Sequence, residues 1–171
     1  MTRAVSDSGP LTHLWQINSW QALGTFQALH IATRVTQEVH KHVPLEQLET
    51  LAGCTLHIHD VPQHAIDDQL QDALLHHADV ATLVLAQQIT PEFVLTDDLA
   101  LRRAIEAQGQ TPIGSVGILL RAYKVGLLDT QTLNRAIDGL FVHSTLYLSP
   151  SFKSYAQRLI AEAIALCKPE R

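Results

Sequence analysis

Short apolar runs alternate along this chain with longer amphipathic stretches, a pattern that is typical of strands followed by helices. The runs at 3–6 (RAVS), 29–32 (LHIA) and 92–96 (EFVLT) are brief and apolar enough to be buried strands. Because buried strands separated by helices form parallel sheets, the pattern predicts an α/β fold, a three-layer α/β/α sandwich with a mostly parallel sheet.

The segment 54–61 (CTLHIHDV) alternates residue by residue between apolar and polar side chains. Cys54, Leu56 and Ile58 would share one face of such a strand, and the polar side chains would share the other. We expect the first face to be covered and the second to be exposed to water.

Helices are predicted after each of these strands and throughout the C-terminal third. Val35 and Val39 form an apolar face after the second strand, and Pro44 is expected to close that helix. The stretch 65–88 is expected to form either one helix or, as we favour, two helices with a break near His77–Asp79. The predicted helices cover 11–17, 34–42, 45–52, 65–88, 99–109, 118–125, 130–141 and 151–168.

Acidic residues lie beside the most apolar segments, at predicted strand ends or in the opening turns of predicted helices: Asp7, Glu38, Asp79 and Asp98. Carboxylates rarely settle next to a core unless positive charge neutralises them. In open parallel sheets, the carboxyl ends of the strands form the crevice where ligands bind. Asp7, Asp97 and Asp98 follow a strand directly. Glu38 and Asp79 are expected in the first turns of helices that face the same edge, where a divalent metal would neutralise the group.

Each acid also has a purely structural explanation. Asp7 and Asp79 could cap the helices that they precede or begin. Glu38 could pair with Arg34 or Lys41 at helical spacing on an exposed surface.

The Thr96-Asp97-Asp98 segment offers two candidates for one role. One aspartate is expected to cap the next helix while the other faces the metal, and the spacing favours Asp98 as the ligand. Arg102 lies four residues after Asp98, so an ion pair within the helix competes with a contact to a substrate phosphate. Ser8 and Ser115 could donate to a phosphate, or could serve only as helix caps.

Composition narrows the possible classes of protein. The 171 residues are 46% hydrophobic, which is enough for one core, and we expect a single domain spanning 1–171. The net charge of −5 excludes a uniformly basic surface, so any polynucleotide would need a local cluster of cations.

Cys54 and Cys167 are far apart, and the N-terminus has no apolar run typical of a signal peptide. A cytoplasmic protein without a membrane function is therefore expected.

Ten histidines raise the question of a zinc site. None of them has the spacing of such a site, because no cysteine pair or His-Glu-x-x-His helix accompanies them. We interpret most of them as surface or polar-face residues, including the neighbouring pairs His40 and His42, His57 and His59, and His76 and His77.

Five segments, taken in order, carry a family resemblance. They are VSDSGPLTHL (5–14), VTQEV (35–39), ADVATLVLA (78–86), VLTDDLALRRAIEAQG (94–109) and PIGSVGILLRAYKVGLL (112–128). Together they resemble the PIN-domain family of metal-dependent nucleases, especially a small prokaryotic branch related to VapC-type toxins. This chain has Ala78-Asp79 where the family more often has Gly-Glu.

The resemblance implies a ribonuclease that hydrolyses RNA phosphodiester bonds with Mg²⁺ or Mn²⁺, and the toxin of a toxin-antitoxin pair is one role that it allows. RNA, an antitoxin protein and a second copy of the chain are the implied partners. The implied catalytic residues are Asp7, Glu38, Asp79 and Asp98. The implied metal-binding residues are these four acids and Asp97, and the implied substrate contacts are Arg102, Ser8 and Ser115.

Two other functions remain open from the sequence. The main alternative is a catalytically impaired PIN-like module that acts through a protein or nucleic-acid partner. The other is a phosphotransfer or hydrolase enzyme on a similar sheet, although the region after Asp7 lacks the Asp-x-Asp signature that such an enzyme would need.

Overall fold

The computed structural model describes residues 2–50, 53–70 and 74–166. Within these ranges one sheet contains the strands β1 (Arg3–Ser6), β2 (Ala28–Ala32), β3 (Thr55–His59), β4 (Phe93–Leu95) and β5 (Pro112–Ile113). Their order across the sheet is β3-β2-β1-β4-β5, and each neighbouring pair is parallel. The predicted α/β fold with a parallel sheet is confirmed.

Helices lie on both sides of this sheet. In the described part of the chain they are α1 (Ser8–Gln16), α2 (Thr33–Val39), α3 (Leu45–Glu49), α4 (Gln63–Gln69), α5 (His77–Ile89), α6 (Leu99–Ala107), α7 (Ser115–Lys124), α8 (Thr130–Val142) and α9 (Pro150–Leu166), with a 3₁₀ helix at Trp20–Thr25.

The core forms where these helices meet the strands. Helix α5 packs on β1 and β2, and its residues 80–86 are all buried, which explains why they are apolar on every side. Helix α7 places the Arg121 guanidinium 5.0 Å from the ring centroid of Phe93 on β4. Within the described ranges, no helix combines the length and the apolar character needed to cross a membrane.

Several boundaries differ from the sequence prediction. The two-residue strand β5 was not predicted, because so short a run carries no periodicity. Helix α2 ends at Val39, and Pro44 is the N-cap of α3 rather than the end of α2. Helix α4 begins before the predicted stretch 65–88, at Gln63, and α5 extends one residue beyond it, to Ile89. Helix α5 begins at His77, so Asp79 lies in its first turn as predicted.

The prediction of a covered face on the third strand is wrong at Ile58. This side chain is 53% exposed, because β3 is an edge strand that has a neighbour on one side only. The polar side chains of Thr55 and His57 are exposed, as predicted, whereas His59 is half-buried beside His30. Cys54 lies just before the strand as a free, partly buried thiol, and Cys167 lies outside the described residues.

The strand order creates a switch point beside β1. Strand β2 pairs with one edge of β1, and β4 pairs with the other edge, so the strand order changes direction at β1. Ligands in open parallel sheets bind outside the carboxyl ends of the strands at such a point. Asp7 follows β1, and Asp97 and Asp98 follow β4, so three of the predicted acids lie at this position.

Candidate active site

Asp7 lies at the centre of the switch point. Its backbone N–H donates to the carbonyl oxygen of Leu95 over 2.9 Å, which ties the residue to the end of β4. The side chain is only 6% exposed. Asp7 is the N-cap residue of α1 by position. Its side chain makes no capping hydrogen bond of good geometry, although the backbone N–H groups of Ser8 and Gly9 lie close enough to favour its charged form.

The electrostatics of Asp7 are unusual. Burial, followed by repulsion from Asp79 and Glu38, raises the pKa of this carboxyl from 3.8 to about 7. Hydrogen bonding from the backbone N–H groups of Ser8 and Gly9 acts in the opposite direction and does not outweigh burial. The three acids are thus close enough to influence one another although they come from three separate elements.

Glu38 reaches Asp7 through Ser8. The Ser8 hydroxyl donates to Glu38 Oε2 over 2.8 Å and lies 3.4 Å from Asp7 Oδ1, so its single proton serves Glu38. Glu38 is the sixth of the seven residues of α2, so it lies in the last turn of that helix and not in the first turn as predicted. Arg34 donates to Gln63, so this arginine has a partner other than Glu38.

Asp79 and Asp98 each use one oxygen at the start of a helix. Asp79 Oδ2 accepts from the backbone N–H of His76 over 2.7 Å, and Asp98 Oδ1 accepts from Leu101 N–H over 2.7 Å. Burial is the main cause that raises the pKa of Asp79, and repulsion from Asp98 and Glu38 adds to it. Asp79 therefore interacts electrostatically with Asp98 and Glu38 while it also accepts a hydrogen bond at the start of its own helix.

Both carboxylate oxygens of Asp97 are hydrogen-bonded within the protein. His13 Nδ1 lies 2.7 Å from Asp97 Oδ2, Ser115 N–H donates to Oδ1 over 2.7 Å, and the Ser115 hydroxyl donates to Oδ2 over 2.5 Å. These contacts join α1, the end of β4 and the start of α7. Of the two neighbouring aspartates, Asp98 is the helix cap and Asp97 is the one that holds the surrounding elements together.

His13 was missed in the sequence. It lies one turn after Gly9 on α1, and its partner Asp97 is 84 positions away, so no local pattern pairs them. The sequence does provide a weak signal, because His13 lies within the segment 5–14 that carries the family resemblance.

Arg102 lies next to Gly114 and forms no ion pair with Asp98. A Cβ atom on Gly114 would come 2.8 Å from Asp97 Oδ1 and 3.4 Å from Arg102 Nη2, so only glycine leaves room for both groups. Among the described residues, no lysine or arginine lies within 4 Å of a carboxylate oxygen, and the close contact between a carboxylate and a basic side chain is that of Asp97 with His13.

The acids do not form a finished ligand set. Among residues 2–50, 53–70 and 74–166, no group of three or more His, Cys, Asp or Glu side chains has a geometry that could hold a metal. Like charges in a poorly solvated crevice repel each other, and Asp79 and Asp98 have turned one oxygen each toward backbone donors. Binding of a cation would therefore require rotation of these side chains.

Histidines gather at a second place, on β2 and β3. His30 Nδ1 lies 2.9 Å from His59 Nε2, and the rings of His30 and His57 stack at 4.8 Å. Burial, with repulsion from the other two histidines, lowers the pKa of His30 to about 4. His57 is exposed as predicted, whereas His30 is buried between neighbouring strands.

Comparison with known families identifies the chain. A DUF3368 family model, described as a PIN domain, matches residues 3–162. The protein belongs to the PIN-domain family. The matched region includes all five strands and every acid discussed above, so the PIN-domain assignment covers the whole crevice. No curated protein and no solved structure gives a significant match to this chain.

The PIN-domain assignment and the parallel sheet agree, and together they give this chain a nuclease fold. In this PIN domain the acids converge at the carboxyl ends of β1 and β4. Asp7, Glu38, Asp79 and Asp98 therefore lie where open parallel sheets bind their ligands.

Proposed function

We propose that this PIN domain is a metal-dependent ribonuclease that hydrolyses RNA phosphodiester bonds with Mg²⁺ or Mn²⁺. The observation that supports the proposal best is Asp7, a carboxylate that is 6% exposed and repelled by Glu38 and Asp79 at the switch point of a nuclease fold. A protein gains no stability from such an arrangement, because burial and repulsion both disfavour the charged form. Clustered groups with shifted pKa values are common at functional sites.

The chemistry of these residues suits a hard divalent cation, once their side chains have rotated toward one another. The side chains that converge are carboxylates, and Mg²⁺ and Mn²⁺ prefer oxygen ligands and keep several waters, so one or two direct carboxylates suffice. Asp7, Glu38, Asp79 and Asp98 would hold the ion, with Asp97 outside this group because both its oxygens already accept hydrogen bonds. When bound, such an ion supplies Lewis acidity and a more acidic water.

The remaining residues position these acids and the substrate. Ser8 orients Glu38 toward Asp7, and the His13–Asp97–Ser115 contacts fix the loop after β4 on which Asp98 lies. Arg102 is free to hold a phosphate oxygen near the acids. Ser115 is fully buried and donates to Asp97, which makes it a positioning residue and not a direct substrate contact.

The test is cleavage of labelled RNA in EDTA, Mg²⁺ and Mn²⁺ by wild-type protein and by Asp7→Asn. We expect wild-type protein to cleave only with a divalent ion and Asp7→Asn to lose at least about 100-fold in rate, because removal of a charged catalytic group commonly has an effect of this size. Asp138→Asn, an exposed position on α8, is the matched control and should cleave like wild type. Equal rates for wild type and Asp7→Asn would refute the assignment.

A binding module without catalysis is the second candidate. Two observations favour it. No group of three or more acidic, histidine or cysteine side chains among the described residues is arranged to hold a metal ion, and Asp79 and Asp98 already contact backbone N–H groups at helix starts. This candidate predicts that RNA or a partner protein binds while no RNA is cleaved under any metal condition. The same assay separates the two, because the nuclease requires turnover that depends on Asp7.

A toxin role, an antitoxin partner, a homodimer and a cytoplasmic location extend this proposal. Each agrees with the family resemblance of the sequence. Purified protein in sedimentation analysis would test the dimer, and growth arrest on expression, relieved by Asp7→Asn, would test the toxin role.

A further inference from the structure

Three histidines lie together on one face of β2 and β3, and we call them the histidine cluster. His57 and His59 are two positions apart on β3, so their side chains lie on the same face of the sheet. His30 is paired in register with His57 on the neighbouring strand. The proposed nuclease site uses none of these side chains, because its acids lie on α2, on α5 and at the ends of β1 and β4.

Two nitrogen atoms of the cluster are close to the spacing of metal ligands. His30 Nδ1 lies 2.9 Å from His59 Nε2, and the centroids of these two rings are 5.1 Å apart. Two nitrogens that bind one tetrahedral zinc ion at about 2.1 Å lie roughly 3.4 Å apart. Separation of the two rings by about half an ångström would therefore fit an ion between them.

Contacts within the protein leave the cluster incomplete. His30 is only 8% exposed, and its Nε2 atom is buried with no hydrogen-bond partner among the described residues. A buried polar nitrogen without a partner costs free energy, so histidine is an unfavourable residue at this position of β2 unless its ring binds a further group. In the described part of the chain no carboxylate lies within 4 Å of the three rings, so ion pairs do not hold them together.

His57 needs to rotate before it can act as a third ligand. Its ring stacks on that of His30, with centroids 4.8 Å apart and planes 15° apart, and no three such side chains among the described residues are placed to hold an ion as they lie. His57 is exposed on an edge strand, so its ring can turn without disturbing the core. The same exposure gives an ion a path from the solvent.

We infer that the histidine cluster binds a transition-metal cation of the Zn²⁺ type through His30, His57 and His59, with water in the fourth position. Imidazole nitrogen suits Zn²⁺, Cu²⁺ and Ni²⁺, whereas Mg²⁺ and Mn²⁺ prefer oxygen ligands. Three histidines with one open position are a known ligand set for four-coordinate zinc. The ion joins the edge strand β3 to β2, and its site is independent of the proposed nuclease function.

Two of the three ligands are already in the protonation state that a metal requires, because only a neutral imidazole binds an ion. Burial, followed by repulsion from His57, His59 and Arg3, lowers the pKa of His30 to about 4. Burial, with repulsion from His57, also lowers the pKa of His59. An ion therefore displaces no proton from His30 or His59 at pH 7.

The test is titration of protein without a histidine tag with Zn²⁺, in competition with a chelating indicator. We expect a 1:1 complex, and we expect His59→Ala and His57→Ala each to weaken binding at least roughly 100-fold, since loss of a group that only orients a ligand already costs about 10–100-fold. His143→Ala removes an exposed histidine outside the cluster and should bind like wild type. Asp7→Asn should also bind like wild type, which separates this ion from any held by the acids.

His57→Cys gives a direct sign of coordination, because thiolate is itself a zinc and cobalt ligand. Thiolate bound to Co²⁺ adds a strong charge-transfer absorption in the near ultraviolet that imidazole ligands lack. We expect this band in His57→Cys and not in wild type, where burial raises the pKa of the Cys54 thiol to about 11. Because His57 is exposed, its variants should keep the circular dichroism of wild type.

The outcomes separate this inference from the nuclease proposal. Equal Zn²⁺ affinity in wild type, His57→Ala and His59→Ala would overturn the site, as would an equal loss in His143→Ala. Binding that is lost in Asp7→Asn and kept in His59→Ala would place the ion at the acids and overturn it too. Absence of the near-ultraviolet band in His57→Cys would overturn the role of His57. RNA cleavage is not part of this readout, so failure of the nuclease proposal leaves the Zn²⁺ titration unchanged.

Discussion

Asp7 shows how a single residue can oppose the stability of its own fold. Its carboxyl is buried next to two other acids, so the native state holds a proton that the unfolded chain releases at much lower pH. The unfolded pKa is 3.8 and the folded pKa about 7, so the free energy of unfolding is highest below pH 4, where both states hold the proton, and falls as pH rises toward 7. At neutral pH the ionised side chain lowers the free energy of unfolding.

Asp7→Asn should therefore stabilise the metal-free protein at neutral pH. The amide stays uncharged, so the variant should gain up to roughly 4 kcal/mol over wild type at pH 8 and little at pH 4. Urea denaturation in EDTA between pH 4 and 8 measures this difference. Asp138→Asn should follow the wild-type curve, whereas parallel curves for wild type and Asp7→Asn would show that the Asp7 carboxyl titrates normally.

At the residue scale the sequence could supply the acids but not their contacts. Asp7, Glu38, Asp79 and Asp98 stand out because each lies beside an apolar segment. The contacts of Asp97 could not be predicted, because they depend on which strands and helices become neighbours. Two of the acids also have structural roles. Asp79 and Asp98 accept hydrogen bonds from backbone N–H groups at the starts of helices, which is the purely structural explanation that the sequence left open.

At the scale of elements, helix α7 packs closely on β5 because it has glycine at position 117. An ideal Cβ on Gly117 would come 2.6 Å from Ile113 Cγ1, closer than real Cβ contacts allow. The same helix begins at Ser115, whose N–H and hydroxyl both donate to Asp97. The position of α7 is thus coupled to the loop that holds Asp97 and Asp98.

Gly117→Ala tests this close packing. Alanine normally stabilises a helix by about 1 kcal/mol relative to glycine, but overpacking against Ile113 should reverse the sign and destabilise the protein by roughly 1–3 kcal/mol. Chemical denaturation of Gly117→Ala, Ile113→Ala and the double variant measures the coupling. The double variant should be more stable than the sum of the single effects predicts, and strict additivity would contradict the contact.

The elements were predicted well wherever a run of residues was long enough to show a period. Strands β1, β2 and β4 and most helices could be read from apolar patterning, whereas β5 has two residues and shows none. The exposure of Ile58 could not be predicted, because it follows from the position of β3 at the edge of the sheet. The end of α2 at Val39, which places Glu38 in the last turn of this helix, was not predicted either. It depends on the turn that the chain forms at residues 40–43.

At the scale of the whole molecule, the acids make stability depend on the ions in solution. A ligand that binds only the native state stabilises it, by about 2.7 kcal/mol at a concentration 100 times its dissociation constant. The crevice should respond to a divalent cation in this way, because neutralisation removes the repulsion among Asp7, Glu38 and Asp79.

Millimolar Mn²⁺ should therefore raise the melting temperature of wild-type protein by roughly 5–10 °C, the change that such a stabilisation gives in a domain of this size. Asp7→Asn should show a clearly smaller shift. Asp138→Asn should shift as wild type does, which accounts for ions bound by surface histidines. The same shift in all three proteins would place the ion elsewhere.

The hydrogen bond from Asp7 N–H to the Leu95 carbonyl has a consequence for the order of events during synthesis. The ribosome makes β1 first, but the edge of β1 that faces away from β2 stays unpaired until β4 has been made. The crevice between the ends of β1 and β4 therefore forms only after β4 pairs with β1. A nascent or truncated chain that stops before β4 would lack Asp97, Asp98 and the strand end to which Asp7 is bonded, and under the proposed nuclease function it should not cleave RNA. Fragments divided between β3 and β4 should accordingly regain activity only when they are mixed.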